Sequence, residues 1–191
     1  MKKIEYFIKT IICVLVFTAC ESFIADDINR DPNNPSVVTL NAVLPSIEVR
    51  MMDWYGGQTS RVNSMFAQQT EGVARQWSSF NQYTGMTPTR FVTVWDIYYE
   101  DILIEVNTMI ADAQEDGYNH YVGIGQILKA SAMMSATDWW GDIPNTTAAL
   151  GIDEINPTKD GQASIYAEVF SLLDSGISLL NGSNGGFAPG S

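Results

Sequence analysis

Histidine and cysteine are nearly absent from this sequence, which contains one histidine, His120, and two cysteines, Cys13 and Cys20. A structural zinc site needs four Cys or His ligands, and a catalytic triad needs a histidine beside its nucleophile. His120 stands beside Asn119 at the expected start of a helix, where a capping or surface role is the simpler interpretation. The composition therefore argues against zinc enzymes and Ser-His-Asp hydrolases, and it predicts no metal and no cofactor.

Basic residues are also scarce, since 10 Lys and Arg stand against 22 Asp and Glu and give a formal net charge of −12. A chain this acidic repels phosphate backbones, which argues against nucleic acid as a partner. The hydrophobic fraction of 46% is ordinary for a globular protein and argues against disorder. The length suits one domain.

The N-terminus has no apolar run long enough to span a membrane, because residues 11–17 fall well short of about 20. Three lysines precede this run, and Thr18 and Ala19 come directly before Cys20. This layout is typical of a bacterial lipoprotein signal peptide. An ordinary signal peptide or a membrane anchor are the alternatives, but the first leaves Cys20 without a purpose and the second needs a longer run. We predict a signal peptide over residues 1–19 and a lipid on Cys20.

Residues 20–37 are acidic, rich in Asn and Pro, and without helical or strand period, so they are predicted to form a tether. Within them Asp27, Asn29 and Asp31 imitate the start of a calcium loop. Pro32 stands where that loop requires glycine, and Val38 stands where it requires the closing glutamate. The tether interpretation is therefore preferred, and the folded domain is predicted over residues 38–191.

The domain begins with helical periodicity. A first helix is predicted over residues 40–55, with Pro45 in its first turns, where a missing N–H costs least. A second helix is predicted from about Ser60. Its apolar side consists of Val62, Phe66, Val73 and Trp77. The polar and aromatic segment 78–89, SSFNQYTGMTPT, then interrupts the pattern.

Two longer apolar stripes follow at spacings of three and four residues. The first consists of Phe91, Trp95, Tyr98, Ile102, Val106, Met109 and Ala113. The second consists of Tyr121, Gly125, Leu128, Ala132, Ser135 and Trp139. The turn between them is short and contains Gly117, so the two helices are predicted to lie antiparallel.

A last helix is predicted from an apolar stripe near the end of the chain. The stripe consists of Tyr166, Phe170, Leu173, Ile177 and Leu180. No segment shows the alternation of apolar and polar residues that is typical of a strand as strongly as these stripes show helical periodicity. The chain is therefore predicted to be all-α and built of packed helix pairs.

In chain order, the sequence resembles the N-terminal half of the SusD/RagB-like outer-membrane lipoproteins of Bacteroidetes. The resemblance rests on the lipobox cysteine and on the segments NRDPNNP, LPSIE, VWDIYYEDILIEVNTMI, YVGIGQILKASAMMSATDWWGDIPNTTAALG and IYAEVFSLLDSGISLL. The most specific phrase is a helix that ends in Asp-x-aromatic-Gly-Asp-Ile-Pro. It is filled by Asp138, Trp140, Gly141, Asp142, Ile143 and Pro144. Family members run to more than twice this length, which implies that the chain is a piece of a longer protein.

The resemblance implies an all-α fold of tetratricopeptide-like antiparallel helix pairs, with irregular loops that carry the ligand site. It also implies a surface-exposed outer-membrane lipoprotein that binds oligosaccharides and passes them to a SusC-like TonB-dependent transporter. Some branches of the family bind peptides instead. The acidic residues after Cys20 (Glu21, Asp26, Asp27) fit the surface-export signal of such lipoproteins. Hydrolysis belongs to neighbouring enzymes, so the resemblance implies a binding protein.

Sugar rings stack on aromatic side chains, while amides and arginines make paired hydrogen bonds to hydroxyls. Residues of these types collect in and beside the loop at 75–90. The predicted ligand-binding residues are Arg75, Trp77, Phe80, Asn81, Gln82 and Tyr83. Trp77 is equally compatible with a core position, whereas Phe80 and Tyr83 lie outside any stripe. Trp54 and Tyr55, before Gly56 and Gly57, form a weaker second group.

The adjacent pair Trp139 and Trp140 also suggests a flat platform for a sugar. Neighbouring side chains on a helix point about 100° apart, so the two rings cannot form one platform while helical. Trp139 falls on the apolar stripe, and Trp140 stands where the helix is expected to end. Asp142 is expected to cap free N–H groups in the turn that follows. We therefore prefer to interpret the pair as a structural joint, with a ligand surface as the second interpretation.

Two rival functions come from other classes of protein. One is a helical scaffold in an envelope complex, without a small ligand. The other is a secreted hydrolase, because a glycosidase needs only two carboxylates facing each other across a cleft. Acidic residues are so numerous here, and so often face water, that their presence does not favour an enzyme.

Overall fold

The computed structural model describes residues 38–185, and the predictions for the signal peptide, Cys20 and the tether lie outside this range. From Thr39 onward the described residues form one compact unit. Helix α1 (Leu40–Gly56) matches the predicted first helix. Its buried face consists of Leu40, Leu44, Ile47, Met51 and Trp54, spaced four, three, four and three residues apart. Pro45 lies in the second turn on the exposed side, so its ring faces away from the core.

Helix α2 (Gln58–Phe66) is shorter than the sequence predicted. The predicted helix ran on to Trp77, but the chain leaves the helix after Phe66 and Gln68 adopts a left-handed φ of 56°. Val73, which was expected on the apolar side, is 82% exposed. Trp77 lies instead on a separate short helix, α3 (Gln76–Asn81), which extends into the segment 78–89 that was predicted to interrupt the helical pattern.

The first long stripe forms one continuous helical stretch, as predicted. It comprises α4 (Val92–Asp96), a π-helical segment (Ile97–Leu103) and α5 (Ile104–Glu115). A short 3-10 turn (Pro88–Arg90) leads into it. The stripe is buried at Phe91, Tyr98, Ile102, Val106, Met109 and Ala113. Gly117 then takes a φ of 75°, which is the predicted left-handed end of the helix.

Helix α6 (Asn119–Trp140) packs along α5 at close range. A Cβ on Gly125 would lie 2.6 Å from Cγ1 of Ile110, so glycine permits this approach. Gly123 has the same role toward the last helix, since a Cβ there would lie 2.9 Å from the carbonyl oxygen of Gly176. The central helix therefore contacts both of its neighbours through glycine.

Helix α7 (Gln162–Leu180) confirms the predicted last helix, but its stripe was assigned to the wrong face. The fully buried positions are Ile165, Val169 and Gly176, whereas Phe170 is 62% exposed and Ile177 is also exposed. The sequence could not identify the inner face because apolar residues lie on both sides of this helix. By length and composition alone α7 is also apolar enough to cross a membrane, a criterion that core helices meet as well.

A two-stranded antiparallel ladder joins α6 to α7. Strand β1 (Ile143–Pro144) pairs with β2 (Lys159–Asp160), with Ile143 opposite Asp160. The Asp160 carboxylate accepts the backbone N–H groups of Asn145 and Thr146 at 2.9 and 2.8 Å. The hydrogen bond from the Thr146 backbone, followed by further bonds from the Thr146 hydroxyl and Asn145, lowers the pKa of Asp160. A ladder of two residues is too short for an alternating pattern to have predicted it.

Candidate functional site

The predicted ligand loop rests on a small apolar cluster separate from the main core. Its buried members are Val62 and Met65 of α2, Phe80 of α3, and Phe91. Gly72 closes the connection between α2 and α3 so tightly that a Cβ would lie 2.1 Å from the carbonyl oxygen of Trp77. The short helix α3 and its flanking residues are therefore held on a fixed base, as a ligand loop requires.

Phe80 belongs to this base and is only 1% exposed. Its ring packs edge-on against Phe66 and Phe91, with centroids 6.3 and 5.9 Å away. The prediction that Phe80 presents its ring to a ligand is therefore wrong for this structure. Phe80 escaped the stripe analysis because α3 is only six residues long, too short for a helical period to be visible.

Tyr83, by contrast, is 55% exposed and rigidly held. Its ring stacks on Phe66 with centroids 5.6 Å apart and planes inclined by 29°. Its hydroxyl donates to the carbonyl oxygen of Phe66 at 3.1 Å and accepts from the Gln68 amide at 3.2 Å. One face of an aromatic ring is thus fixed from behind while the side chain remains open to solvent.

The other predicted residues lie on α3 or at its two ends. Arg75 and Gln82 are exposed at the two ends of the helix, and Asn81 is half-buried in its last turn. Trp77 is half-buried, with the Arg61 guanidinium 5.2 Å from its ring centroid and the Phe80 ring 5.9 Å away. Trp77 thus packs on the small cluster, as its core interpretation predicted, while its contact with a ligand stays a prediction.

Backbone strain is concentrated in the same segment. Among the described residues, four non-glycine residues have positive φ, and three of them are Gln68, Arg75 and Tyr83, with values of 56°, 53° and 55°. Such conformations cost free energy in side-chain-bearing residues and persist where the surrounding structure enforces them, often at binding sites. No sequence signal indicated this strain, because none of the three is glycine or asparagine.

In the weaker second group of candidates, Trp54 has a structural position and Tyr55 remains partly exposed. Trp54 is buried, and its indole Nε1 donates to the Ser135 hydroxyl of α6 at 3.1 Å. The prediction that Trp54 contacts ligand is therefore wrong, because its ring fills the interface between α1 and α6. Tyr55 remains partly exposed, and its hydroxyl lies 2.9 Å from the Ser131 carbonyl oxygen.

A small pocket of about 110 Å³ lies beside this region, between the start of α2 and helix α4. Its walls include polar and charged side chains of Asp53, Gln58, Arg61 and Thr93. Gln58 closes one side by donating its amide to the carbonyl oxygen of Arg90 at 2.7 Å. Sequence reasoning missed this pocket because its residues come from four separate elements, α1, α2, α4 and the π-helical segment.

The tryptophan pair is a joint, as its helical phase predicted. The two rings are 6.0 Å apart and inclined by 54°, so they do not share a plane. Trp139 packs edge-on against Phe91 at 5.6 Å, whereas Trp140 packs against Trp95 at 5.0 Å and Trp54 at 5.8 Å. Trp139 thus contacts the small cluster and Trp140 the main core.

The residues around this joint fasten it to both neighbouring helices. The Asp142 carboxylate accepts the backbone N–H of Gln162 at 2.9 Å, so it caps α7 and not the turn in which it lies. Tyr99 donates its hydroxyl to the carbonyl oxygen of Pro144 at 2.7 Å, and its burial raises the pKa of this phenol. The Asp-Trp-Trp-Gly-Asp-Ile-Pro phrase therefore positions the helix pairs.

His120 also has a structural position. Its Nε2 lies 3.2 Å from the carbonyl oxygen of Gly182, and the neighbouring Asn119 amide donates to the carbonyl oxygen of Ser183 at 3.0 Å. Both residues tie the start of α6 to the chain after α7. Within residues 38–185, no group of three or more His, Cys, Asp or Glu side chains is arranged to hold a metal ion.

Comparison with known proteins places these observations in a family. A family model named SusD-like and described as "starch-binding associating with outer membrane" matches residues 32–188. A crystal structure of a SusD/RagB family protein from Bacteroides thetaiotaomicron is similar, with a TM-score of 0.70 at 20% identity. The likeness covers 78% of this chain and 32% of that one, so the present chain spans about a third of the neighbour's length. It confirms the predicted all-α fold. A search of curated proteins finds no match.

Proposed function

The chain belongs to the SusD-like family of starch-binding proteins that associate with the outer membrane, and on that premise we propose that it captures oligosaccharides at the cell surface. It hands them to a SusC-like TonB-dependent transporter and performs no reaction itself. Cys20 carries the lipid that anchors it on the extracellular side of the outer membrane.

The observation that carries this proposal is the exposed, immobilised ring of Tyr83. A sugar presents flat C–H faces that stack on an aromatic ring, and a ring already fixed in place loses little freedom on binding. Phe66 supports the Tyr83 ring from behind, and the Phe66 carbonyl and Gln68 amide hold its hydroxyl. Gln82 is exposed and directly precedes Tyr83 in the chain, and its amide is able to hydrogen-bond sugar hydroxyls.

A peptide ligand or a scaffold role without a small ligand are the competing functions. We favour the oligosaccharide because the exposed ring of Tyr83 is supported from behind by Phe66, which leaves an aromatic surface for a sugar ring to stack on. A peptide site of the strand-addition type needs an exposed strand edge, and the two-residue ladder of the described region is remote from this segment in the chain.

The test is titration calorimetry of the mature chain with a panel of oligosaccharides and peptides. We expect saturable binding of an oligosaccharide that Tyr83→Ala abolishes without lowering the melting temperature by more than a few degrees. Phe170→Ala is the matched control, since it removes another exposed aromatic ring, on α7. Binding of peptides alone, or no binding together with a stable envelope partner in pull-downs, would contradict the proposal.

A further inference from the structure

Positive charge is segregated at the candidate site. Residues 54–95 contain three arginines, Arg61, Arg75 and Arg90, and a single acidic residue, Glu71. The whole chain has a formal net charge of −12. Arginine is therefore in local excess over acidic residues in an otherwise acidic protein, although Asp53 lines the same pocket as Arg61. A local excess of cations attracts anionic ligands.

These arginines are not neutralised by carboxylates. The ion pairs found among residues 38–185 join Arg50 to Asp101 at 3.5 Å and Lys129 to Glu168 at 3.8 Å, both outside the segment. Arg61 lies over the Trp77 ring and Arg90 over the Phe80 ring, at 5.2 and 5.3 Å. Arg61 Nε also donates to the Gly57 carbonyl oxygen at 3.3 Å, and Arg90 Nη1 donates to the Ser79 hydroxyl at 3.2 Å. Aromatic faces and neutral oxygens thus hold these two cations, and neither forms an ion pair with a carboxylate of the described residues.

Arg75 is the most available of the three. It precedes α3, its side chain is exposed, and within the described residues its guanidinium has no hydrogen bond or ion pair. Its left-handed φ of 53° shows that the fold holds it in a conformation it would not adopt by preference. Arg75 and Tyr83 flank the two ends of α3, whose six residues span about 9 Å.

We propose that the oligosaccharide captured at this site is anionic and bears uronate carboxylates. Tyr83 stacks a sugar ring, and Arg75 pairs with a carboxylate of the same or a neighbouring sugar. Arginine suits this partner because its planar guanidinium forms two parallel hydrogen bonds with a carboxylate. Arg61 and Arg90 add attraction, which the ligand needs in order to approach a protein of the same overall charge. This inference deepens the proposed function and rests on it.

The experiment compares ligands that differ only in charge. The mature chain is titrated with oligogalacturonides and oligoalginates, with the methyl esters of each, and with neutral glucan oligomers. The variants are Arg75→Gln, Tyr83→Ala and, as a control of equal charge change, Lys159→Gln on strand β2, outside the segment 54–95. We expect uronate binding that falls roughly tenfold or more on esterification and by a similar factor in Arg75→Gln. Lys159→Gln is expected to bind like the parent chain, and higher salt is expected to weaken binding.

The outcomes separate this inference from the proposed function. If neutral or esterified oligomers bind at least as well as the uronates, or if Arg75→Gln leaves uronate binding unchanged, the inference is wrong while capture of oligosaccharides stands. If no oligosaccharide of either class binds, the proposed function fails and the inference fails with it.

Discussion

The hydroxyl of Tyr83 lies 3.1 Å from the carbonyl oxygen of Phe66, and the rings of the same two residues stack 5.6 Å apart. One residue therefore anchors both the polar end and one face of the tyrosine. This double anchor holds Tyr83 in a left-handed conformation that is otherwise unfavourable. An aromatic ring that is already fixed before the ligand binds loses less conformational freedom on binding, which favours affinity.

Because Phe66 anchors both the ring and the hydroxyl of Tyr83, different substitutions of Tyr83 should lower oligosaccharide affinity by different amounts. Tyr83→Phe keeps the stacking face but removes both hydrogen bonds of the hydroxyl, so we expect oligosaccharide affinity to fall several-fold, less than in Tyr83→Ala. Because the side chain is exposed, the free energy of unfolding should change by no more than about 1 kcal/mol. Calorimetry and urea denaturation measure the two quantities. Equal losses of affinity in the two variants would show that the hydroxyl itself, and not the ring, contacts the ligand.

Phe80→Ala is expected to act through stability. Its ring is fully buried among Phe66, Phe91 and Trp77, so truncation leaves a cavity and should cost about 3–5 kcal/mol of unfolding free energy. Urea denaturation of the mature chain tests this, with Phe170→Ala as an exposed control of the same chemistry. A loss below about 1 kcal/mol would mean that the small cluster does not support the site.

Position 80 also shows where the sequence was informative and where it was not. The long helices α5 and α6 were predicted because their stripes repeat over several turns, and the α5 stripe is the buried face of that helix. The α6 stripe is buried only at Tyr121, Gly125 and Ala132, because this helix packs against neighbours on two sides. Helix α3 was missed because six residues contain fewer than two turns, and there the packing of Phe80 against residues 11 and 14 positions away decides the structure. Burial of this kind depends on long-range contacts that no local period encodes.

The candidate site was predictable by residue type and only partly by position. Tyr83, Arg75 and Gln82 are exposed as expected, since polar and aromatic residues in an irregular segment usually face solvent. Trp54 and Phe80 proved structural. The positive φ values of Arg75 and Tyr83, and the close contact of Gly72 with Trp77 that excludes any larger side chain, have no counterpart in the local sequence pattern. These features are visible only in three dimensions.

The close approach of α5 and α6 predicts a large effect at Gly125. In Gly125→Ala the new methyl group would lie 2.6 Å from Ile110 and 3.0 Å from Met109, so the helices must separate or both side chains must move. We expect a loss of about 1–3 kcal/mol of unfolding free energy.

Gly56→Ala is the matched control for this substitution. Gly56 lies in the last turn of α1 with nothing within 4 Å of its added methyl group. There alanine should stabilise the helix by roughly 0.5–1 kcal/mol. Denaturation curves of the two variants should therefore shift in opposite directions, and a shared direction would contradict the packing described for α5 and α6.

Cys20 is predicted to carry the lipid anchor. Cys20→Ser should leave the protein unlabelled when cells are fed a radioactive fatty acid, and should move it from the membrane fraction to the soluble fraction, because a serine cannot take the thioether-linked lipid. Cys13→Ser is the control, as Cys13 lies in the predicted signal peptide. Labelling that persists in Cys20→Ser would show that the anchor lies elsewhere.

We expect the Asp160 carboxylate to make the stability of the ladder between α6 and α7 depend on pH. Its pKa is lowered in the folded protein because the N–H groups of Asn145 and Thr146 and the Thr146 hydroxyl bind the charged form. The contribution to unfolding free energy is therefore fully present above the pKa of the unfolded chain, near 4, and is lost as the pH falls through the lower folded value.

Asp160→Asn should destabilise the protein at pH 7, and the gap in unfolding free energy between variant and parent should narrow below about pH 4. Urea midpoints measured from pH 7 to pH 3 test this, with Asp153→Asn, an exposed acid in the same connection, as the control. A gap that stays constant across this range would mean that the charge of Asp160 does not hold the ladder together.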